Sequence, residues 1–368
     1  MIPANPRFRA DHVGSLLRPA ALKDAFRDFS KGTLPEADYR AFLEDAINNA
    51  VAMQESSGLR SITDGEFERG SWFGFFFARM DGFRLEPSAF KFRDATGAQY
   101  EWPTCMACAR IQRKGSITGD EYQRLRRLTR NTPKITMPTP SAFHFFRFMQ
   151  PADPTIYPDI DSYWDDLVAV FRAEINELAQ LGCDNIQLDE VPLAMLCDPQ
   201  VRGQVKAMGG DPLELVARYS DVLDRVLEDQ PSNVTYALHL CRGNFRNRWM
   251  ATGGYEPVAE RLFNTRFNSF FLEFDSERAG DFSPLRFVPK DKSMVLGLVS
   301  TKQPDLESKD ELRKRLDAAA RFVPLERLAI SPQCGFASVA GGNAMTEAQQ
   351  AAKLALVTDV ARSVWSDA

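Results

Sequence analysis

The sequence lacks an apolar stretch that approaches the ~18 residues of a membrane-spanning helix. It also lacks a long run of Lys or Arg, and its formal net charge is −5. We therefore predict neither nucleic acid nor a membrane surface as a partner. The N-terminus does not have the charged-then-apolar layout of a signal peptide. Six cysteines at irregular spacings do not indicate a disulfide framework, so we predict a protein of the reducing cytoplasm.

No G-x-G-x-x-G motif follows the first candidate strand, which argues against an open dinucleotide-binding sheet. Instead, short apolar runs alternate with amphipathic segments. The eight candidate strands are 11–19, 60–66, 134–143, 185–191, 234–241, 269–275, 293–301 and 327–336. The candidate helices are 36–57, 160–181, 212–228, 255–264, 307–322 and 344–366. Strands separated by single helices indicate a parallel sheet, and eight such units predict an α/β fold, a (β/α)8 TIM barrel.

Residues 67–133 do not fit one helix and are rich in Phe, Arg and Trp. We predict a single TIM barrel spanning 1–368, with 67–133 as an insertion after strand 2. The insertion contains Cys105 and Cys108 in a lone C-x-x-C pattern. Because no second pair accompanies it, we favour a structural or fortuitous origin over a zinc or redox role.

Histidine is scarce, with three in the chain, and one of them lies two residues from a cysteine at the end of an apolar run. His239 and Cys241 in "VTYALHLC" share one face of the predicted strand. The sixth strand carries Glu273 near its end, and the eighth ends at Cys334. The carboxyl ends of barrel strands share one face, so these four side chains predict a tetrahedral Zn²⁺ site. A buried thiol beside an incidental histidine is the alternative interpretation of the first pair.

A zinc ion with two thiolate ligands is electron-rich and activates water poorly. It is suited to bind a substrate thiol and lower the pKa of that thiol, which is ordinarily about 8.5. The predicted ligand set therefore favours S-alkylation over hydrolysis.

Seven motifs in order resemble the catalytic barrel of cobalamin-independent methionine synthase, and most closely its single-barrel relatives. They are "DHVGSLLRP", "TDGEFERG", "IQLDE", "HLC", "FLEFD", "GLVSTKQPDLES" and "SPQCGF". The resemblance covers residues 11–336. It implies a TIM barrel, a zinc ion as cofactor, and transfer of a methyl group to a zinc-bound thiol such as homocysteine. The implied zinc ligands are His239, Cys241, Glu273 and Cys334.

The same resemblance implies a site for an amino-acid thiol. Ser15 matches the position that holds the substrate carboxylate, and Glu66 and Asp189 match the acids that bind the amino group. Acids at strand ends also cap helices, which is the alternative for these two. We further count Asp189 and His12 as candidate catalytic residues. His12 precedes the "VGS" turn and is a candidate general acid, with a purely structural histidine as the alternative.

Three departures from the family pattern concern the methyl donor. The second, N-terminal barrel of the full-length synthases is missing, Lys302 occupies the position of their proton-donating histidine, and the folate-stacking tryptophan is replaced near His144. We therefore predict a corrinoid or a corrinoid protein as donor rather than methyltetrahydrofolate. The aromatic stretches 72–77 and 143–148 are candidates to line a donor pocket, or else to pack in the core.

Two further functions remain open at the level of sequence. The first is a zinc-thiolate lyase or transferase that adds a thiol such as coenzyme M to an epoxide or another electrophile. Arg18, Arg69 and Lys302 are the cations that would bind its sulfonate. The second is a zinc-binding barrel with a storage or structural role, which would need a closed set of four ligands and no pocket.

Overall fold

The computed structural model of the protein describes residues 5–94 and 96–368. Its strands are β1 Ser61–Ile62, β2 Met80–Pro87, β3 Phe92–Arg93, β4 Gln99–Tyr100, β5 Pro103–Arg113, β6 Thr132–Pro133, β7 Ile135–Pro138, β8 Asn185–Glu190, β9 Thr235–Leu240, β10 Ser269–Glu273, β11 Ser293–Val299 and β12 Leu328–Pro332. Its α-helices are α1 Ala20–Ser30, α2 Glu36–Ser56, α3 Gly74–Ala78, α4 Gly119–Leu128, α5 Pro140–Phe145, α6 Ile160–Gln180, α7 Pro192–Met195, α8 Pro199–Ala207, α9 Pro212–Leu227, α10 Ala259–Phe263, α11 Lys309–Ala319 and α12 Glu347–Val364. Among these residues, no helix combines the length and the apolar character that crossing a bilayer requires.

The centre of the fold is a parallel sheet of six strands, β7 to β12, whose order in space is their order in the chain. The long helices α6, α9 and α11 lie between successive strands of this sheet. A parallel pair needs such a crossover connection, because its strands cannot be joined by a tight turn. The predicted α/β class is confirmed.

Two further contacts lie beyond the outer strands of this sheet. The short strand β1 pairs in parallel with β6, which Lys134 alone separates from β7. Ala10 forms a parallel bridge to Ile330 in β12. The predicted strand 11–19 is wrong, because this segment is irregular. Gly14 has φ = +146° there, and the backbone N–H of Leu16 donates to the carbonyl of Gly65, in the loop after β1, instead of to a strand.

The strands of the central sheet are buried on both faces, and their side chains alternate between two cores. Phe270 and Leu272 of β10 pack in the main core. Phe271 points to the other face and belongs to a small separate cluster with three residues of the neighbouring strands β9, β11 and β12: Ala237, Val295 and Ala329. His239 lies two residues after Ala237, and Glu273 lies two residues after Phe271. Both side chains therefore share the face of this small cluster, which we call the inner face, at the carboxyl ends of β9 and β10.

The segment 67–133 contains its own small structure. Strands β2 and β5 pair antiparallel, as do β3 and β4. Cys105 and Cys108 both lie on β5, three positions apart, so they point to opposite faces of the strand. Neither belongs to a group of three or more potential metal ligands among the described residues, and the structural or fortuitous origin of this pair stays a prediction.

Candidate active site

Three of the predicted metal ligands converge at the carboxyl end of the sheet. His239 is the next-to-last residue of strand β9, Cys241 directly follows the strand, and Cys334 lies two residues after β12. Their ligand atoms all lie within 4.8 Å of one another, and the two Sγ atoms are 3.2 Å apart. All three side chains are buried. Within residues 5–94 and 96–368, this is the single group of at least three such side chains with this spacing.

The surroundings of these side chains fit a bound metal ion. Neither ring nitrogen of His239 has a hydrogen-bond partner among the described residues, although both are buried. Leaving buried polar atoms without a partner costs free energy, unless a ligand binds there. A hydrogen bond joins the sulfur atoms of Cys241 and Cys334, and together with the adjacent His239 it holds the pKa of Cys334 well below the usual range of a thiol. The set therefore offers an imidazole and a readily ionised thiol to a metal.

Glu273, the fourth predicted ligand, lies beside the cluster but outside the group of converging ligand atoms. Its Oε2 accepts from the backbone N–H of Arg242 at 3.1 Å, and its Oε1 faces Arg278. Nζ of Lys302 is 3.7 Å from the same oxygen. Burial alone would raise the pKa of this carboxyl, but Lys302 and Arg278 lower it to about 2. Glu273 is thus a charged carboxylate held by cations, and its role as a ligand stays a prediction.

The cluster forms one wall of a cavity of about 330 Å³. Ser15, Glu66 and Asp189 line the same cavity. They come from three distant parts of the chain: the irregular segment after residue 10, the loop after β1, and the end of β8. The structure thus brings the three predicted substrate-binding residues to the predicted metal ligands.

Glu66 and Asp189 place two carboxyl groups in one buried space. Glu66 has a left-handed backbone, with φ = +58°; its Oε1 accepts from Oγ1 of Thr136 at 2.8 Å and lies 3.5 Å from Nη1 of Arg69. Asp189 accepts from Nε2 of Gln187 at 2.8 Å. Burial, with a further contribution from the charge of Glu66, raises the pKa of Asp189 to about 7. A bound ammonium group would relieve this repulsion, so this wall suits a cationic ligand.

Ser15 is packed against the loop that carries Cys334. The backbone carbonyl of Ser15 accepts from the N–H of Phe336 at 2.9 Å. A Cβ atom at Gly335 would lie 2.0 Å from Oγ of Ser15. Glycine is therefore needed at this point for the serine hydroxyl to lie beside the cluster.

His12 does not line the cavity. Its Nε2 lies 3.2 Å from the carbonyl oxygen of Ser61, and its ring is buried. Burial, reinforced by the charge of Lys134, lowers the pKa of His12 well below its usual value. A buried neutral imidazole away from the cavity gives the general-acid role no geometric support, and the structural interpretation accounts for these contacts.

Aromatic side chains form another part of the cavity wall. They are Trp72, Phe73, Phe77, Phe92, Trp102, Phe146 and Phe245. The first five come from the segment 67–133. The sequence singled out the stretch 72–77 but missed Phe92 and Trp102, because no local pattern in the segment 67–133 indicates which of its aromatic residues reach a site built by the sheet.

Comparison with known proteins identifies the family. The model of the family described as "Cobalamin-independent synthase, Catalytic domain" matches residues 8–361. The chain belongs to the cobalamin-independent synthase family. It is 38% identical over 366 residues to the uncharacterized protein YxjH of Bacillus subtilis, covering 97% of this chain and 95% of that protein. It is 24% identical over 324 residues to a methionine synthase of Pyrococcus abyssi, covering 88% of this chain and 84% of that protein.

A solved structure extends the likeness to the fold. A candidate vitamin B12-independent methionine synthase from Listeria monocytogenes superimposes with a TM-score of 0.75 at 27% identity, covering 97% of this chain and 98% of that one. The resemblance found in the sequence motifs is confirmed. As a member of this family the chain is an enzyme of the methionine-synthase type, a methyltransferase.

The prediction of a corrinoid or corrinoid protein as methyl donor is wrong. The family is cobalamin-independent, and its donor is methyltetrahydrofolate. The family gives no support to the thiol-to-epoxide alternative or to a storage role either. The argument from a missing tryptophan fails, because Trp72 and Trp102 line the cavity from the segment 67–133.

Proposed function

We propose that this protein transfers the methyl group of methyltetrahydrofolate to the thiol of homocysteine, with zinc as its cofactor. The observation that carries the proposal is that one cavity combines the His–Cys–Cys cluster, the two acids and the aromatic wall. Each of these three parts matches one participant of the reaction: a metal, an amino-acid thiol and a flat heteroaromatic donor.

The zinc ion would be held by His239, Cys241 and Cys334, with Glu273 as fourth ligand. The unpartnered ring nitrogens of His239 and the lowered pKa of Cys334 support this assignment. Sulfur ligands favour zinc over Mg²⁺ or Ca²⁺. The chemistry that zinc supplies in such a set is to lower the pKa of the substrate thiol, so that a thiolate is present at neutral pH.

Homocysteine would be oriented by Ser15, Glu66 and Asp189. The acids bind the ammonium group and the serine binds the carboxylate, which leaves the side-chain thiol directed at the cluster. The raised pKa of Asp189 supports an ammonium site, because a cation there favours the charged form of both acids. The left-handed backbone of Glu66 supports it as well, since strained residues of this kind cluster at functional sites.

The pterin ring of the donor would stack on the aromatic wall. Trp72 and Trp102 offer flat faces to this ring. The cavity lies at the lower end of the ~300–1,000 Å³ that small-molecule sites occupy, which suits a bicyclic ring beside an amino acid.

The whole chain would form one closed TIM barrel, comprising 1–368 with 67–133 as an insertion after the second strand. The chain-ordered parallel sheet, the β1–β6 pair and the bridge from Ala10 to Ile330 support closure. For the compartment we propose the cytoplasm, because all six cysteines are free thiols.

The test is to incubate the zinc-loaded protein with homocysteine and methyltetrahydrofolate and to measure methionine formation by mass spectrometry. Asp189→Asn should lower kcat/KM by about ten- to a hundredfold, the usual effect of losing one charge-assisted contact, with unchanged zinc content. Asp310→Asn, on an exposed side chain of α11, is the matched control. A fully zinc-loaded protein that forms no methionine would refute the proposal. If Asp189→Asn loses zinc but binds homocysteine normally, Asp189 supports the metal site instead.

A further inference from the structure

A line of buried polar side chains connects helix α4 to the proposed ammonium site. Oε2 of Glu121, in α4, accepts from Nε of Arg69 at 3.1 Å and from its Nη2 at 2.5 Å. Nη1 of Arg69 donates to Oγ1 of Thr136 at 2.8 Å and lies 3.5 Å from Oε1 of Glu66. All four side chains are buried. Neither Glu121 nor Arg69 lines the cavity, whereas Glu66 does, so their route to a ligand there is the side chain of Glu66.

Glu121 fixes the direction in which the Arg69 guanidinium points. The donors of arginine form a rigid planar fork, so a carboxylate that accepts from Nε and Nη2 also determines where Nη1 points. The ring of Phe75 covers the same guanidinium, with 4.0 Å between the ring centre and Cζ. Burial alone would lower the pKa of Arg69, but the charges of Glu121 and Glu66 outweigh burial and raise this pKa. Arg69 is therefore a charged group that is held in one orientation.

The backbone around Glu66 is held by other groups. Nη2 of Arg18 donates to the carbonyl of Glu66 at 2.6 Å, and Oδ1 of Asp64 accepts from the N–H of Glu66 at 2.8 Å. The carboxylate of Glu66, in contrast, is contacted at Oε1 by both Thr136 and Arg69. A change at Arg69 would thus turn the carboxylate of Glu66 and leave the loop backbone in place.

We propose that Glu121 and Arg69 are positioning residues for homocysteine, which fix the carboxylate of Glu66 so that one of its oxygens is kept for the ammonium group. The inference rests on the proposed function, because it acts on an acid assigned to that group. Without the charge of Glu121, the fork of Arg69 is free to turn to Glu66 and bind both of its oxygens. The charge of Glu66 is then compensated inside the protein, and its attraction for a ligand cation falls.

The test is calorimetric binding of two ligands to the zinc-loaded protein: homocysteine, and 4-mercaptobutanoate, which is homocysteine without its amino group. We expect wild-type protein to bind homocysteine more tightly. In Glu121→Gln the ratio of the two dissociation constants should shrink by about two- to thirtyfold, the range for residues that act through a neighbour. The affinity for 4-mercaptobutanoate and the zinc content should stay at their wild-type values, because the change reaches only the ammonium site.

A second variant and a control accompany this measurement. Arg69→Lys keeps a buried cation beside Glu121 but replaces the fork with a single point charge, which cannot contact Glu121 and Glu66 together. It should also shrink the ratio, and it decides the question if Glu121→Gln does not fold. Glu68→Gln is the matched control, because it removes an ion pair between the same loop and the same helix, with Nη2 of Arg124 at 2.7 Å. It should leave the ratio unchanged.

The outcomes separate this inference from the proposed function. If wild-type protein binds both ligands equally, the proposed ammonium site is wrong, and this inference falls with it. If wild-type protein selects homocysteine but a folded Glu121→Gln or Arg69→Lys variant keeps the wild-type ratio, the pair does not position Glu66, although the ammonium site stands. Equal weakening of both ligands, or an equal loss of selectivity in Glu68→Gln, would show that the pair only supports the packing of α4, and would overturn the inference.

Discussion

Replacing Thr136 with valine tests how the protein holds the proposed ammonium site. Oγ1 of Thr136 donates to Oε1 of Glu66 at 2.8 Å and accepts from Nη1 of Arg69 at 2.8 Å. All three side chains are buried. Valine has the same shape and keeps the methyl group, so it removes both hydrogen bonds without opening a cavity. A hydrogen bond to a charged group contributes about 1.5–3 kcal/mol.

That energy sets an upper limit on the loss of homocysteine affinity. Without the threonine hydroxyl, the carboxylate of Glu66 keeps its contact with Nη1 of Arg69, 3.5 Å away. The KM for homocysteine should therefore rise by about ten- to a hundredfold at saturating methyltetrahydrofolate. The kcat should change much less, because the His–Cys–Cys cluster and the aromatic wall are untouched. Calorimetry with homocysteine gives the same comparison without turnover.

Thr136→Ser is the matched control, because it restores the hydroxyl and removes only the methyl group. It should return KM to within a few-fold of the wild-type value. A valine variant with wild-type KM and wild-type homocysteine affinity would refute the orienting role of Thr136. If the serine variant is as impaired as the valine variant, the packing of the methyl group, and not the hydroxyl, determines the KM for homocysteine.

Three further changes test other parts of the structure. Cys334→Ser should reduce zinc well below one ion per chain in elemental analysis, whereas Cys108→Ser, on β5, should not; full occupancy in the first variant would remove Cys334 from the ligand set. Trp72→Ala should raise the KM for methyltetrahydrofolate by about two- to tenfold, the range of one aromatic stacking contact, with little effect on the KM for homocysteine; equal increases in both constants would contradict the separate donor wall. Burial lowers the pKa of His144 to about 3, so between pH ~6.5 and 3 the unfolded chain binds a proton that the folded protein does not. The free energy of unfolding should fall with decreasing pH in this window by up to about 1.4 kcal/mol per unit from this group, and urea unfolding of His144→Gln should lack that share of the slope; identical slopes would refute the assignment.

The features that the sequence predicted correctly are those that covalent geometry determines. His239 and Glu273 share the inner face because strand side chains alternate with period two, and this holds in any parallel sheet. The end of a strand can also be predicted from the residue at which an apolar run stops. Helix α1 was missed although the sequence contains the apolar spacing of a helix. Leu22 and Ala25 lie three positions apart, and the structure buries both. The irregular segment after residue 10 was taken for a strand because its apolar residues look alike in either conformation.

The donor was predicted wrongly for a different physical reason. A stacking surface needs only a flat aromatic face at the right point in space, and any segment that reaches this point can supply it. His144 is buried, with its Nδ1 2.9 Å from the Tyr219 hydroxyl, and it does not line the cavity. Trp72 and Trp102 reach the cavity from the segment 67–133, whose packing no local pattern encodes. The absence of a residue type at one matched position therefore carries little weight when the site is an aromatic wall. A missing residue type is stronger evidence at a metal cluster. There, His239, Cys241 and Cys334 must each present one specific atom within 4.8 Å of the others.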